Sequence, residues 1–301
     1  MKILLTGATG LIGKELTSLL LEKKHSIHYL TTSKDKLENL SNYQGFYWNP
    51  EKGIIDERCL KEVDVIVHLA GANIAKCWTN AYKKEILESR IVSLQILFNL
   101  VKTTKNQVRQ IISASATAIY PDSFSKIYDE NTLEIKDGFL SNVVVKWEEG
   151  ATVFNELGIK VCKLRTGVVL SSKGGVLSEL ARPIRIGIGT IMGSGKQIQS
   201  WIHINDLVAM YYFAIEMQLD GVFNAVAPNP VSHKEMTKVL AKVLRKPLLL
   251  PNIPKFFIQI FLGEMSSLLF FSENISCQKI INLGFQFQFS TIEKAITDLY
   301  K

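Results

Sequence analysis

Three glycines near the amino end constrain the fold more than any other feature of this sequence. In "KILLTGATGLIGKEL", Gly7, Gly10 and Gly13 follow a short apolar segment and open a segment with helical periodicity. A dinucleotide-binding turn needs glycine for its tight bend, for close approach of a pyrophosphate and for packing of helix on strand. The free N–H groups of the helix N-terminus then favour phosphate; the alternative is a turn that merely requires glycine. The residues expected to hold the dinucleotide here are Gly7, Thr9, Gly10, Leu11, Ile12 and Gly13.

Strand and helix signals alternate along the first two-thirds of the chain. Strand-like apolar segments lie at 2–7, 26–32, 63–71, 108–115 and 159–167, and helical periodicity at 11–24, 80–104 and 141–158. Strands separated by helices of this length imply βαβ units and a parallel sheet with right-handed crossovers. The sequence therefore predicts an α/β protein with a Rossmann-type, doubly wound parallel sheet.

The pattern changes after residue 167, where Gly-rich and then Pro-containing segments replace the regular alternation. A strand-then-helix signal returns only at 201–216. We therefore predict a nucleotide-binding Rossmann domain at 1–170 together with about 200–222. A smaller, mixed C-terminal substrate domain is predicted from about 171–199 and 223–301.

Composition argues against several classes of protein. The 301 residues are 47% hydrophobic, enough for a substantial core, and the formal charge of +7 comes from scattered lysines rather than from a nucleic-acid-binding patch. The four cysteines are far apart with no CxxC pair, so we expect neither a metal site nor a disulfide framework, and a reducing compartment. The apolar stretch 253–271 contains Pro, Lys and Glu and falls short of the roughly 18 apolar residues of a membrane span. This stretch predicts a packed amphipathic helix pair. Together with the charge and the cysteine spacing, it leads us to expect a cytoplasmic protein with no membrane and no nucleic-acid partner.

The end of the second predicted strand bears on the choice between NAD and NADP. An NAD site usually carries an acidic residue there, to hold the ribose hydroxyls. Here three hydroxyl-bearing residues and one lysine come before the first acid, Asp35. Hydroxyls and a lysine could hold a 2′-phosphate, which a carboxylate would repel. We predict NADP, with NAD as the alternative if the lysine is only a solvated loop residue. The residues concerned are Thr31, Thr32, Ser33 and Lys34.

Several motifs then point to a family. "HLAG" (68–71), "SASATAIY" (113–120), "LRTG" (164–167) and "WIHINDL" (201–207) resemble the extended short-chain dehydrogenases/reductases, the fold of sugar-nucleotide epimerases and dehydratases. Longer matches, among them "LAGANIAKCWT" (69–79), "GSGKQIQSWIHINDL" (193–207) and "LGFQFQFSTIEKAI" (283–296), are similar to the YfcH/SDR39U1-like branch with its small C-terminal domain. The resemblance covers essentially the whole chain and implies an NADP-binding fold, but no particular substrate. It also implies that Leu69, Ala70 and Gly71 lie beside the cofactor.

The same resemblance poses a catalytic question. In the wider superfamily a Tyr is the acid/base, a Lys four residues later holds the nicotinamide ribose, and a Ser or Thr orients the substrate oxygen. Ser115 or Thr117 matches the hydroxyl, unless both only cap the strand end, and Lys146 matches the Lys, unless it is a surface residue. Asn142 stands on the same predicted helix face where Tyr is usual. Since an amide has no proton to exchange near neutral pH, the usual acid is missing.

Other residues are weaker candidates for chemistry. Tyr120 and Tyr128 could donate a proton, although an aromatic after the serine strand more often shapes the pocket. His203 and His68 are more often structural at such positions.

Branch-specific residues are expected to line the active-site cleft. Arg90 could bind an anionic substrate or form a salt bridge with a nearby Glu. The Gly-rich loop with Lys196 could close over substrate, but it lacks the helix of an ATP-binding P-loop. The substrate candidates are Asn73, Trp78, Arg90, Tyr120 and Lys196.

Together these observations predict an NADP(H)-binding, epimerase/dehydratase-like oxidoreductase that lacks the usual Tyr. A small-molecule substrate would sit between the two domains of a monomer or homodimer. The alternative is a non-catalytic NADP-binding sensor or assembly partner.

Overall fold

A computed structural model describes all 301 residues. The strands are β1 (Lys2–Thr6), β2 (Ser26–Thr31), β3 (Asn39–Leu40), β4 (Tyr43–Asn49), β5 (Ile54–Ile55), β6 (Val65–His68), β7 (Gln110–Ala116), β8 (Lys160–Thr166), β9 (Val168–Leu170), β10 (Ile198–Gln199), β11 (Trp201–His203), β12 (Gly221–Ala225) and β13 (Val231–Ser232). The α-helices are α1 (Leu11–Glu22), α2 (Asn80–Thr103), α3 (Phe139–Thr152), α4 (Gly175–Arg185), α5 (Ile204–Glu216), α6 (His233–Val243), α7 (Lys255–Leu262), α8 (Ser267–Phe270), α9 (Gln278–Asn282) and α10 (Ile292–Tyr300).

The central sheet has the strand order β12-β8-β7-β6-β1-β2-β4-β3, and β5 pairs with β4. All neighbours from β12 to β4 are parallel, and only the short β3 and β5 are antiparallel. The predicted α/β fold with a doubly wound parallel sheet is confirmed. The direction of winding reverses between β1 and β6, and in open sheets of this kind ligands bind at that reversal, beyond the carboxyl ends of the strands.

Successive side chains of β1 point to opposite faces of the sheet and pack into two different apolar clusters. Ile3 and Leu5 join a cluster that α1 and α5 cover, while Leu4 points to a cluster on the opposite face that α2 and α3 cover. All three side chains are fully buried, and each stabilises the fold by about 1.5–3 kcal/mol. The β1–α1 turn is thus held between two packed layers.

A third apolar cluster lies outside the main sheet. It is formed mainly by residues of α4, α6 and α10, all from segments that the sequence assigns to the smaller domain. The carboxylate of Asp206 on α5 ties this region to the sheet, because it accepts the backbone N–H groups of Gln288 (2.8 Å) and Phe289 (3.0 Å). None of the helices is both long and apolar enough to cross a membrane.

Candidate functional site

The β1–α1 turn has the geometry of a phosphate cradle. Gly7 adopts φ +71°, and a Cβ there would lie 2.9 Å from the backbone of Leu69. A Cβ on Gly13 would lie only 2.1 Å from the Gly7 carbonyl oxygen, and one on Gly10 at 3.2 Å. Gly10 precedes α1 without a side-chain cap, so the first N–H groups of the helix are left for a ligand. The residues therefore fit a pyrophosphate held against bare backbone.

The end of β6 is fixed against this turn by Thr6. Its hydroxyl oxygen accepts the N–H groups of Leu69 and Ala70, each at 3.1 Å, and lies 2.9 Å from Nδ1 of His68. Burial, followed by the charge of Arg90, lowers the pKa of His68 to about 3. His68 is therefore a neutral structural residue that holds the strand end in place.

The segment after β2 lies at the edge where an adenosine ribose is expected. Thr31 is buried and its hydroxyl accepts the Ser33 N–H at 3.2 Å, while Thr32 and Lys34 are exposed. The Lys34 Nζ lies 5.3 Å from the centroid of the Tyr47 ring. Since no carboxylate occurs among residues 31–34, this edge offers hydroxyls and one cation to a ligand.

A cavity of about 480 Å³ opens between the start of α3 and the α7–α8 region. Ala118, just beyond β7, places it at the carboxyl edge of the sheet, and Lys255 and Gln259 of α7 form the opposite wall. Trp78, a predicted substrate residue, lines the cavity and packs edge-on against Phe139 at 5.3 Å. Sequence reasoning did not single out most of the other lining residues, among them Lys136, Phe139, Leu140, Ser141, Lys255, Gln259 and Phe271.

Helix α3 does not present the predicted pair to this cavity. Asn142 and Lys146 share one face, as predicted, but both are exposed and neither lines the cavity. The buried face carries Leu140, which lines the cavity, and Val144 one turn later. The α3 residues on the cavity wall are Phe139, Leu140 and Ser141, which include neither a phenol nor an amine.

The predicted hydroxyl of Ser115 is committed to another partner. It donates to Glu148 on α3 at 2.6 Å, and Arg165 grips the same carboxylate through Nε (2.8 Å) and a terminal nitrogen (2.9 Å). Arg165 also donates to the Tyr120 hydroxyl at 2.9 Å, which in turn donates to Asn224. All five side chains are buried. Ser115 and Tyr120 therefore belong to a structural network.

Electrostatics agree with that assignment. Burial would raise the pKa of Glu148, but the hydrogen bonds and charge of Arg165 hold it below its usual value. Burial raises the pKa of Tyr120 despite Arg165. Both groups therefore keep their charge states around neutral pH, which suits a structural ion pair better than proton transfer.

A second hydroxyl at the end of β7 contacts a titratable group that sequence reasoning missed. The buried Thr117 donates to Glu273 at 2.5 Å, across 156 residues of sequence. Burial raises the pKa of Glu273 from 4.5 to about 7, against the Thr117 hydrogen bond and the charge of Lys136, with Asp122 raising it further. Thr117 precedes Ala118 and Glu273 follows Phe271 by two residues, and both neighbours line the cavity.

This raised pKa predicts a pH-dependent stability. The folded chain keeps the Glu273 proton to about pH 7 and the unfolded chain only to about 4.5, so stability falls as pH rises between these values. Glu273→Gln keeps an acceptor for Thr117 but removes the buried charge. Relative to wild type it should gain about 1–3 kcal/mol in urea unfolding near pH 8 and almost nothing near pH 4.5.

The matched control for that comparison is Glu134→Gln, which alters an exposed ion pair with Lys126. Its pH profile should run parallel to that of wild type. A parallel profile for Glu273→Gln as well would show that the buried carboxyl does not titrate in this range.

The remaining predicted substrate residues lie elsewhere. Arg90 is buried, donates to the carbonyls of Ile86 (2.7 Å) and Ala72 (3.3 Å) and stacks 4.8 Å from the Trp147 ring. It therefore neither reaches a substrate anion nor forms the alternative salt bridge.

Asn73 and Lys196 are both exposed and absent from the cavity wall. The Asn73 side chain accepts the Ala75 N–H at 2.9 Å, and the Lys196 N–H donates to Ser194 at 3.2 Å. Both residues lie in loops.

Comparison with known proteins identifies relatives over the full length. Residues 3–226 match the model of the NAD dependent epimerase/dehydratase family, and residues 253–299 match a domain of unknown function, DUF1731. The epimerase family protein SAR0825 of Staphylococcus aureus is 36% identical over 98% of each chain. YfhF of Bacillus subtilis is 34% identical over 99% of this chain and 98% of its own. The crystal structure of human epimerase family protein SDR39U1 with NADPH superposes with a TM-score of 0.88 at 27% identity, covering 100% of this chain and 99% of that one. The predicted resemblance is confirmed.

Proposed function

Because the chain belongs to the NAD dependent epimerase/dehydratase family, we propose that it is an NADP(H)-dependent oxidoreductase acting on a small molecule in the cavity beside α3. The observation that carries this proposal is the β1–α1 turn, where a Cβ at Gly7 or Gly13 would clash with backbone. Gly7, Gly10 and Gly13 would hold the pyrophosphate, with the N–H groups of Leu11 and Ile12. When bound, the nicotinamide would supply or accept a hydride.

The segment 31–34 would select NADP over NAD. Thr32, Ser33 and Lys34 offer hydroxyls and a cation where an NAD site usually carries a carboxylate. The human relative solved with NADPH supports this choice.

Replacing Lys34 tests the proposed selectivity for NADPH over NADH. Lys34→Ala should weaken NADPH binding about tenfold and leave NADH binding unchanged, because the 2′-phosphate, the one charged group that NADH lacks, is the group expected beside Lys34. Titration calorimetry on nucleotide-free protein measures both. Lys36→Ala, two residues away and also exposed, is the charge-matched control and should change neither. Equal loss for both nucleotides would contradict the assignment, and failure of wild type to bind either would refute nucleotide binding itself.

Proton transfer would fall to a group other than Tyr. The α3 residues that line the cavity, Phe139, Leu140 and Ser141, include no carboxyl, imidazole or phenol, and Ser115 donates to Glu148. Glu273 has a pKa near neutrality, contacts Thr117 and lies two residues from the cavity-lining Phe271, so it is the group proposed to exchange a proton there. Thr117 would position the carboxyl group.

The amide of Asn142 at the usual Tyr position also favours a second function, a non-catalytic NADP-binding sensor. Incubating the purified protein with NADPH and a panel of aldehydes and ketones separates the two. An oxidoreductase should consume NADPH in the presence of at least one carbonyl compound. Tight NADPH binding with no consumption across the panel would favour the sensor.

A further inference from the structure

Helix α7 exposes an unusual amount of apolar surface. Phe256, Phe257, Ile260 and Phe261 are 66%, 53%, 60% and 83% exposed, and only Ile258 is buried. The sequence predicts a packed amphipathic helix pair here, and the structure does not bury this face. The segment before it adds three more exposed side chains, Leu249, Leu250 and Ile253. We call these seven residues the α7 face.

The apolar residues of α7 extend well beyond its buried side. Phe256, Phe257, Ile260 and Phe261 occupy positions i, i+1, i+4 and i+5, which form one continuous arc on a helix. On the other side, Lys255 and Gln259 line the cavity. A surface helix normally turns its apolar stripe inward, because each large apolar side chain gains about 1.5–3 kcal/mol on burial. An apolar face left outside on this scale marks an interaction site.

Charge indicates the partner. Residues 236–263 contain no Asp or Glu, although the chain as a whole has 28. In the sequence, lysine and arginine precede the α7 face, and Lys255 begins the helix itself. The basic residues of this stretch are Lys238, Lys242, Arg245, Lys246 and Lys255. Glu235 and Glu264 bound this stretch, and Glu264 is paired with Lys83. A Phe-rich helix face preceded by basic residues is typical of helices that lie on anionic lipid surfaces.

The same charge distribution disfavours a second copy of this chain. A two-fold dimer would bring the same basic surface together with itself, and like charges facing one another oppose association. An anionic lipid surface instead offers both apolar depth and negative charge.

We propose that the α7 face docks on an anionic lipid surface, with the phenylalanines entering the interface and the basic residues that precede the helix, Arg245 and Lys246 among them, meeting lipid phosphates. The helix lies in the surface and does not cross it, in keeping with the absence of any membrane-spanning helix. The proposal departs from the sequence-based expectation of no membrane partner. The inference does not depend on nucleotide binding or turnover. Since α7 is also a wall of the cavity, docking would bring the cavity next to the lipid.

Sedimentation with vesicles tests the proposal. Wild-type protein should bind vesicles of phosphatidylcholine mixed with phosphatidylglycerol and bind pure phosphatidylcholine vesicles far less. The double variant Phe256→Ser/Phe261→Ser should lose at least about tenfold in partition to the anionic vesicles. The control Phe124→Ser/Ile127→Ser removes two equally exposed apolar side chains (66% and 63%) from another loop and should bind as wild type does.

Four outcomes would overturn the proposal. They are no binding of wild type to anionic vesicles, equal loss in the control variant, retention of binding by the α7 variant, and a dimer in sedimentation velocity that the α7 variant dissolves without any vesicle binding. Unchanged circular dichroism and NADPH affinity in both variants would show that a loss of vesicle binding is not a loss of fold.

Discussion

Gly13→Ala is expected to weaken NADPH binding by at least about a hundredfold, equivalent to roughly 3 kcal/mol. The added methyl group would lie 2.1 Å from the Gly7 carbonyl oxygen and 2.8 Å from the Ala8 Cα, and both neighbours are backbone atoms that cannot rotate away. Helix α1 must therefore move off the turn, and its free N–H groups then no longer converge on the pyrophosphate. Calorimetric titration measures the loss, and urea unfolding measures the accompanying destabilisation.

Gly150→Ala on α3 is the matched control. Its new methyl group would meet Leu94 at an ordinary 3.4 Å, and alanine favours a helix over glycine by about 1 kcal/mol. This variant should bind NADPH as wild type does and be at least as stable. If Gly13→Ala also bound NADPH normally, the β1–α1 turn could not be where the nucleotide is held.

The β1–α1 turn and the parallel sheet could be predicted because their signals are local. Glycine spacing, the apolar strand and the helix periodicity all lie within one βαβ unit, and each requires the same backbone path. The role of residues 31–34 at the edge after β2 stays a prediction, read from the chemistry of these four residues alone.

The rest of the site depends on long-range contacts that no local pattern encodes. The i, i+4 spacing of Asn142 and Lys146 shows that they share a helix face, but only packing decides that Leu140 and Val144 face inward. Thr117 meets Glu273 across 156 residues, so neither residue carries a local signal of the other.

Helix α7 shows a different limit of sequence reasoning. Apolar content predicts burial, yet this helix exposes its apolar face and turns Lys255 and Gln259 toward the cavity. Apolar composition predicts that a side chain will be buried, but it does not say whether it is buried in the protein's own core or against an external surface.

Breaking the buried network around Arg165 should be the most destabilising single change considered. Glu148→Ala removes the carboxylate that accepts from Arg165 at 2.8 and 2.9 Å and from Ser115 at 2.6 Å. Arg165 is only 8% exposed, so its guanidinium would be left charged in a poorly hydrated site. Losing one partner of a buried ion pair typically costs about 3–5 kcal/mol. Urea unfolding at neutral pH should show a loss of that size.

The neighbouring Glu149→Ala removes an exposed carboxylate from the same helix turn and should change stability by less than about 0.5 kcal/mol. The double variant Glu148→Ala/Arg165→Met should be more stable than Glu148→Ala alone, because it no longer buries an unpaired cation. A double variant weaker than both single variants would instead mean that Arg165 stabilises the fold through Tyr120 rather than through Glu148. The network holds Ser115 in place at the end of β7, one residue from the strand end that leads to Thr117 and the cavity. Stability and the geometry of the proposed site should therefore be lost together.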